Sequence, residues 1–141
     1  MWSNLRSMIN AGIIGYRNHS KKIIDIVKKK LKIKYIFHPN KILKIKYFTN
    51  DINNLLNTDC VFILCPSKLH FFYLNFLVKN KYRGYIFCEK PPVTNLNDLK
   101  KLSKIVTDRF YFNYNLRFSE INKHLVNNSK FGKLIQVNIQ D

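Results

Sequence analysis

Acidic residues are scarce in this sequence: 8 stand against 25 lysines and arginines, for a formal net charge of +17. Such a balance invites a nucleic-acid reading. The basic residues are spread along the chain, however, and only Lys28-Lys29-Lys30 forms a tight run. They come with an excess of Asn, Ile, Phe and Tyr, so A/T-rich codon usage accounts for the whole set with one cause. The tight run falls at the end of an expected helix, where cations suit the dipole. No basic stripe interleaved with aromatics is present, and no nucleic-acid-binding partner is expected. Long apolar runs are missing too. None approaches the ~20 residues needed to cross a bilayer, which argues against a membrane partner. The stretch Met1 to Met8 carries Arg6, but the apolar run after it holds two glycines and stops at Arg17, so it does not read as a secretory signal. Cysteine is limited to Cys60, Cys65 and Cys88. An odd count without framework spacing points to reduced thiols and a cytoplasmic protein. Cys65 and Cys88 could line a site, but small buried core residues are the commoner case.

What is present is a globular pattern. Hydrophobic residues make up 46% of 141 residues, enough for one domain with a proper core. Met8 to Ile14 reads as a first strand. Ser20 is a candidate helix cap, followed by Ile23, Ile24, Val27 and Leu31 at helical spacing. Lys32 to Phe37 reads as a second strand. A short strand is expected at Tyr47-Phe48 and a short helix over Asp51 to Leu56. Cys60 to Leu64 is an apolar strand ended by Pro66. Leu69, Phe72, Tyr73, Phe76 and Leu77 predict the buried stripe of a helix. Tyr85 to Cys88 is a fourth main strand. Thr94 is the expected cap of a helix with Leu96, Leu99, Leu102 and Val106 inward. Phe110 to Phe112 is a fifth strand, Ile121 to Val126 a helix, and Leu134 to Ile139 an alternating strand. Strands alternating with helices predict an α/β fold: a Rossmann-like doubly wound parallel sheet over residues 1–118. Residues 119–141 then read as a linking helix and the first strand of a second α/β domain.

Three strand ends carry chemistry. The turn Gly15-Tyr16-Arg17-Asn18 stands where a dinucleotide fingerprint would have glycines at 15, 17 and 20; only Gly15 remains, with Arg17 and Ser20 at the others. Arg17 itself could bind phosphate. His38 takes the place of the acid that would hold ribose hydroxyls, with Lys41 and Lys44 nearby. A lost carboxylate beside cations favours NADP over NAD, although an exposed turn histidine is an equally good account. Pro66-Ser67-Lys68-Leu69-His70 follows the third main strand, and Glu89-Lys90-Pro91-Pro92 the fourth. The prolines end that strand in a rigid corner, and a cis bond there is one way of fixing Lys90. Open α/β sheets bind ligands at such edges. No metal-ligating cluster stands out.

The order Gly12 to Gly15, Asp59 to His70, Glu89 to Pro91 and Asn115-Leu116-Arg117-Phe118 resembles the Gfo/Idh/MocA family of sugar oxidoreductases. Phe131 to Ile135 is similar to that family's entry into its C-terminal domain. The resemblance implies binding of NAD or NADP across the carboxyl edge of the sheet by Gly15, Tyr16, Arg17, Asn18 and His38. It implies that Cys65, Pro66, Ser67, His70 and Glu89 line the nicotinamide side, with Arg117 approaching from the next loop. Lys90 would be catalytic, hydrogen-bonding the hydroxyl of a sugar or cyclitol substrate, with Glu89 orienting it. The family continues into a larger α/β domain that binds substrate, mediates oligomerisation and usually carries a catalytic histidine. Because the sequence ends at Asp141, the expectation is a truncated frame or one piece of a split gene. The other reading is a Rossmann-fold binding or scaffold module that has lost catalysis, for which the eroded glycines speak.

Overall fold

The computed structural model describes residues 8–114 of the chain. Six strands form one parallel sheet: β1 (Asn10–Ile14), β2 (Lys32–Phe37), β3 (Phe48–Thr49), β4 (Cys60–Ile63), β5 (Tyr85–Glu89) and β6 (Phe110–Asn113), in the order β3-β2-β1-β4-β5-β6. The order reverses between β1 and β4, which is where a doubly wound sheet opens its crevice. The expected α/β parallel fold is the one observed. The helix Ile121 to Val126, the strand Leu134 to Ile139 and the boundary at residue 118 lie outside the described residues.

Two apolar layers sandwich the sheet. On one face, Ile24 of α1 (Asn18–Val27) is buried against Ala11, Ile13, Ile33, Ile36 and Cys60, with Ile23, Val27 and Leu31 packed at the margin. On the other, α2 (His70–Lys79) and a 3-10 turn (Ile52–Asn57) cover Ile14, Val61, Ile63, Ile86 and Cys88. The central strands read as continuous apolar runs because both their faces are covered. At the amino edge Asp59 accepts from the Asn10 N–H at 2.7 Å, tying β4 to β1.

Local differences from the sequence expectations have simple causes. Ser20 does not cap α1. It lies in the first turn, fully buried, and its Oγ both accepts from the Arg17 N–H and donates to the Arg17 carbonyl. The helix therefore starts three residues early, at Asn18, with Arg17 as the cap residue. Thr94 is not a cap either; the neighbouring Asn95 accepts from the Asp98 N–H at 2.8 Å and opens α3 (Leu96–Ile105). The inward face of α3 reduces to Leu102, with Ile105 partly buried, while Leu96, Leu99 and Val106 are exposed. In α2 the buried face is His70, Tyr73, Leu74 and Leu77, the i, i+3, i+4, i+7 set, so Phe72 is turned to the surface. Leu74, missing from the expected stripe, is fully buried.

Gly15 closes β1 with φ of 101°, a region side chains rarely adopt. A Cβ there would stand 2.7 Å from the Cys65 backbone nitrogen. The first turn can therefore press directly on the turn that follows β4.

Candidate functional site

At the carboxyl ends of β1, β4 and β5 the chain leaves an open crevice of about 390 Å³, lined by Arg17, His19, Cys65, Pro66, Ser67, His70, Glu89, Lys90 and Pro91. Each side chain arrives from a strand end or the helix start after it. Arg17 comes from the β1–α1 turn and His19 from the first turn of α1. Cys65 to His70 come from the β4–α2 turn, where Pro66 opens a short 3-10 turn (Ser67–Leu69). Glu89 is the last residue of β5 and Lys90 the first beyond it, and the Lys90–Pro91 peptide is cis.

Glu89 and Lys90 line the same crevice but make different contacts. Glu89 is paired in register with Asn113 of β6, whose Nδ2 donates to its Oε1 at 2.8 Å. The His19 Nε2 stands 3.4 Å from the same oxygen, and the Glu89 side chain is only 14% exposed. Lys90 is exposed and makes no ion pair among the described residues. The carboxylate that was expected to orient Lys90 has its contacts with Asn113 and His19 instead. Both of these went unremarked in the sequence. The signal for Asn113 was its place at a strand end; for His19 it was the first turn of the helix after Gly15.

His70 sits behind the crevice wall. It is 1% exposed, and its Nδ1 lies 2.7 Å from the Pro91 carbonyl and its Nε2 2.7 Å from the Cys65 carbonyl. With both ring nitrogens taken by the protein, it has none to offer a cofactor, and its contribution to the crevice is to its frame. Cys65 is buried, and burial pushes its thiol up to about 12, so it presents a neutral, small wall.

His38 is in a different place. It lines a separate hollow with Asn40, Lys41, Ile42 and Asn50 at the end of β2. Its Nδ1 accepts from the Tyr16 N–H at 3.1 Å, which ties the second strand end to the first turn. Burial first, then the positive charges of Arg17 and Lys41, hold this imidazole below its ordinary range. Lys41 lines the hollow; Lys44 does not. Tyr16 is half-buried under the Lys21 ammonium, 5.2 Å from its ring centroid, and Asn18 is exposed. Neither lines the crevice. Arg117 lies outside the described residues.

The crevice carries more positive than negative charge: Arg17 and Lys90 line it against one acid, Glu89, and the first turn of α1 holds no acid. A helix start of this kind suits an anion such as a pyrophosphate. Among the described residues no group of three potential metal ligands comes together, and no helix is long and apolar enough to cross a membrane.

A model of the GFO_IDH_MocA oxidoreductase family, described as an NAD-binding Rossmann fold, matches residues 9–109. No curated protein matches the sequence. Among solved structures, myo-inositol 2-dehydrogenase from Lactobacillus plantarum superposes with a TM-score of 0.70 at 19% identity, covering 92% of this chain and 44% of that one. Scyllo-inositol dehydrogenase from Lactobacillus casei, with bound NAD(H) and scyllo-inositol, gives 0.71 at 18%, covering 89% and 43%. UDP-N-acetylglucosamine 3-dehydrogenase from Acidithiobacillus ferrooxidans gives 0.70 at 17%, covering 88% and 44%. The chain thus spans less than half the length of the structures it matches.

Proposed function

The chain belongs to the Gfo/Idh/MocA oxidoreductase family as its NAD-binding Rossmann domain, and from that premise we propose that it serves hydride transfer between a nicotinamide and a hydroxyl-bearing carbon of a sugar or cyclitol. The observation that carries this reading is the crevice at the switch point of the sheet, which Lys90 lines together with Arg17, Pro66 and Ser67 and where it makes no ion pair among the described residues. The residues present fit the cofactor in two respects. The turn at Gly15 lies tight against Cys65, leaving the crevice mouth to the helix start. Arg17 supplies an exposed cation where the family pattern has a bare backbone. When bound, the nicotinamide supplies the hydride acceptor or donor.

The chain's own residues do the rest. The Lys90 ammonium donates to the substrate hydroxyl oxygen and stabilises the negative charge that grows there as hydride leaves the carbon. Pro66 and Ser67, with Cys65 behind them, form the wall on the nicotinamide side and keep water from it. Glu89, held by Asn113, sets the charge of the opposite wall. His38 and Lys41 at the end of β2 replace a carboxylate with a neutral ring and a cation, which favours a 2′-phosphate and hence NADP. The group that takes the hydroxyl proton and the surface that selects the substrate belong to a substrate-binding region beyond the described residues, and oligomerisation is assigned to that same region.

The test is a fluorescence titration of the purified chain with NADPH and NADH, together with Lys90→Ala. Saturable binding with NADPH ahead of NADH is expected. Lys90 is exposed and makes no ion pair among the described residues, so the variant should stay within about 0.5 kcal/mol of the parent in stability while retaining binding. No change in cofactor fluorescence at millimolar concentration would sink the proposal.

A further inference from the structure

We propose that His70 is the positioning residue of the crevice: as an imidazolium it donates from both ring nitrogens and clamps the turn after β4 to the loop that carries Lys90. The argument is one of donors and acceptors. Both partners, the Pro91 and Cys65 carbonyls, are backbone oxygens that can only accept. A neutral imidazole carries one N–H. Its other nitrogen would then aim a lone pair at a carbonyl oxygen 2.7 Å away. At 1% exposure no water can enter to relieve that contact. The doubly protonated ring satisfies both contacts at once, and 2.7 Å is the short separation charge-assisted N–H···O bonds adopt.

The surroundings define what acts on that charge. Arg17 and His19 reach the crevice from the first turn and the start of α1, and Lys90 from the loop after β5; Glu89 at the end of β5 is the one acid of that lining. On the β4 turn Cys65, and on α2 itself Tyr73, are kept neutral by burial, each pushed up to about 12. The positive end of α2, where His70 is the first residue, opposes the charge. The two carbonyl dipoles offset it. The consequence is mechanical. Pro91 follows Lys90 directly and Cys65 precedes Pro66, so one ring fixes the lysine relative to the cofactor wall across 21 residues of sequence.

The clamp is read by labelling the full chain with 15N-histidine and recording long-range proton–nitrogen correlations at pH 7.5, where an ordinary exposed histidine is mostly neutral. The chain has four histidines. One ring is expected to show both nitrogens protonated. Its signal should survive His19→Gln, His38→Gln and His124→Gln, each of which removes a different resonance, and this assignment does not require a folded His70 variant. Four rings each with an unprotonated nitrogen would overturn the clamp. The positioning role rests on the proposed cofactor site, and His70→Gln, which keeps one donor, should weaken NADPH binding about tenfold, the worth of one buried hydrogen bond. Unchanged affinity in that variant would refute the role in positioning. An imidazolium signal in a chain that binds no NADPH would overturn the cofactor reading and leave the clamp standing.

Discussion

Replacing Gly15 by alanine should be among the most damaging single-methyl changes in the molecule. Two costs combine. The backbone at this position has φ of 101°, where a side-chain-bearing residue is strained by ~1–3 kcal/mol. The added Cβ would also fall 2.7 Å from the Cys65 nitrogen, 2.8 Å from its Cα and 2.9 Å from the Leu64 carbonyl carbon. All three are backbone atoms and cannot rotate away, so the β1 and β4 turns must move apart, at the ~1–3 kcal/mol typical of overpacking. The total is about 2–6 kcal/mol, a large share of the ~5–15 kcal/mol that holds a domain together. Gly12→Ala is the control. Its Cβ would also meet an atom at 2.7 Å, but that atom is the Cδ2 of Leu55, the end of a flexible side chain. Its cost should stay near ~1–3 kcal/mol. Urea unfolding of both variants gives the comparison at equal m-value. If Gly15→Ala destabilises no more than Gly12→Ala, the close approach of the two turns is not a feature of the folded protein.

Two further outcomes follow from titratable groups. His38 is held below its ordinary range, so the folded state binds fewer protons at this site than the unfolded chain does near pH 6. The stabilisation is therefore complete above about pH 7 and is lost as pH falls toward 5. Protonation would also remove the Nδ1 lone pair that accepts from the Tyr16 N–H. Denaturation midpoints at pH 7.5 and 5.5 should differ less in His38→Gln than in the parent; an equal difference in the two proteins would rule out this ring as the source. The three cysteines are buried, with the thiols of Cys60 and Cys65 pushed up to about 11 and about 12 and that of Cys88 raised further, in each case first by burial. Mass spectrometry after iodoacetamide at pH 8 should find no labelling in native protein and three additions in urea. Rapid native labelling would contradict the closed core around β4 and β5.

Much of this was legible in the sequence because period and punctuation carried it. Lys32–Phe37 is delimited by a lysine run and by His38-Pro39, and it forms the predicted strand residue for residue. The crevice was legible because Pro66 and Pro91 end buried strands, and strand ends are where a parallel sheet gathers polar groups. Helix faces were less legible. Aromatic residues fill α2 so densely that the stripe containing Phe72 and the one containing Leu74 look equally apolar, and only the tertiary packing decides between them. In α3 nothing in Leu96-x-x-Leu99-x-x-Leu102 says that a short helix at the margin of the sheet will bury just the third leucine. Ser20 misled for a chemical reason: serine bonds its own neighbourhood equally well from the cap and from the first turn.

The sharpest lesson concerns Glu89-Lys90, which reads in sequence as a pair. The two line one crevice, but the hydrogen bond and the close cation found for Glu89 come from Asn113 and His19. Glu89 continues the pairing of β5 with β6 and gives its oxygen to Asn113. Lys90, the next residue, is exposed and makes no ion pair among the described residues. A lysine already paired with an acid would have to break that pair before donating to a substrate oxygen, and its field would be partly cancelled. A free one offers its full charge to an oxygen becoming negative. Arg17 and Lys90 outnumber Glu89 in the described lining of the crevice, an excess of positive charge that suits a twice-negative pyrophosphate. Glu89, bonded to Asn113 of β6, ties the end of β5 to its neighbouring strand one residue before Lys90.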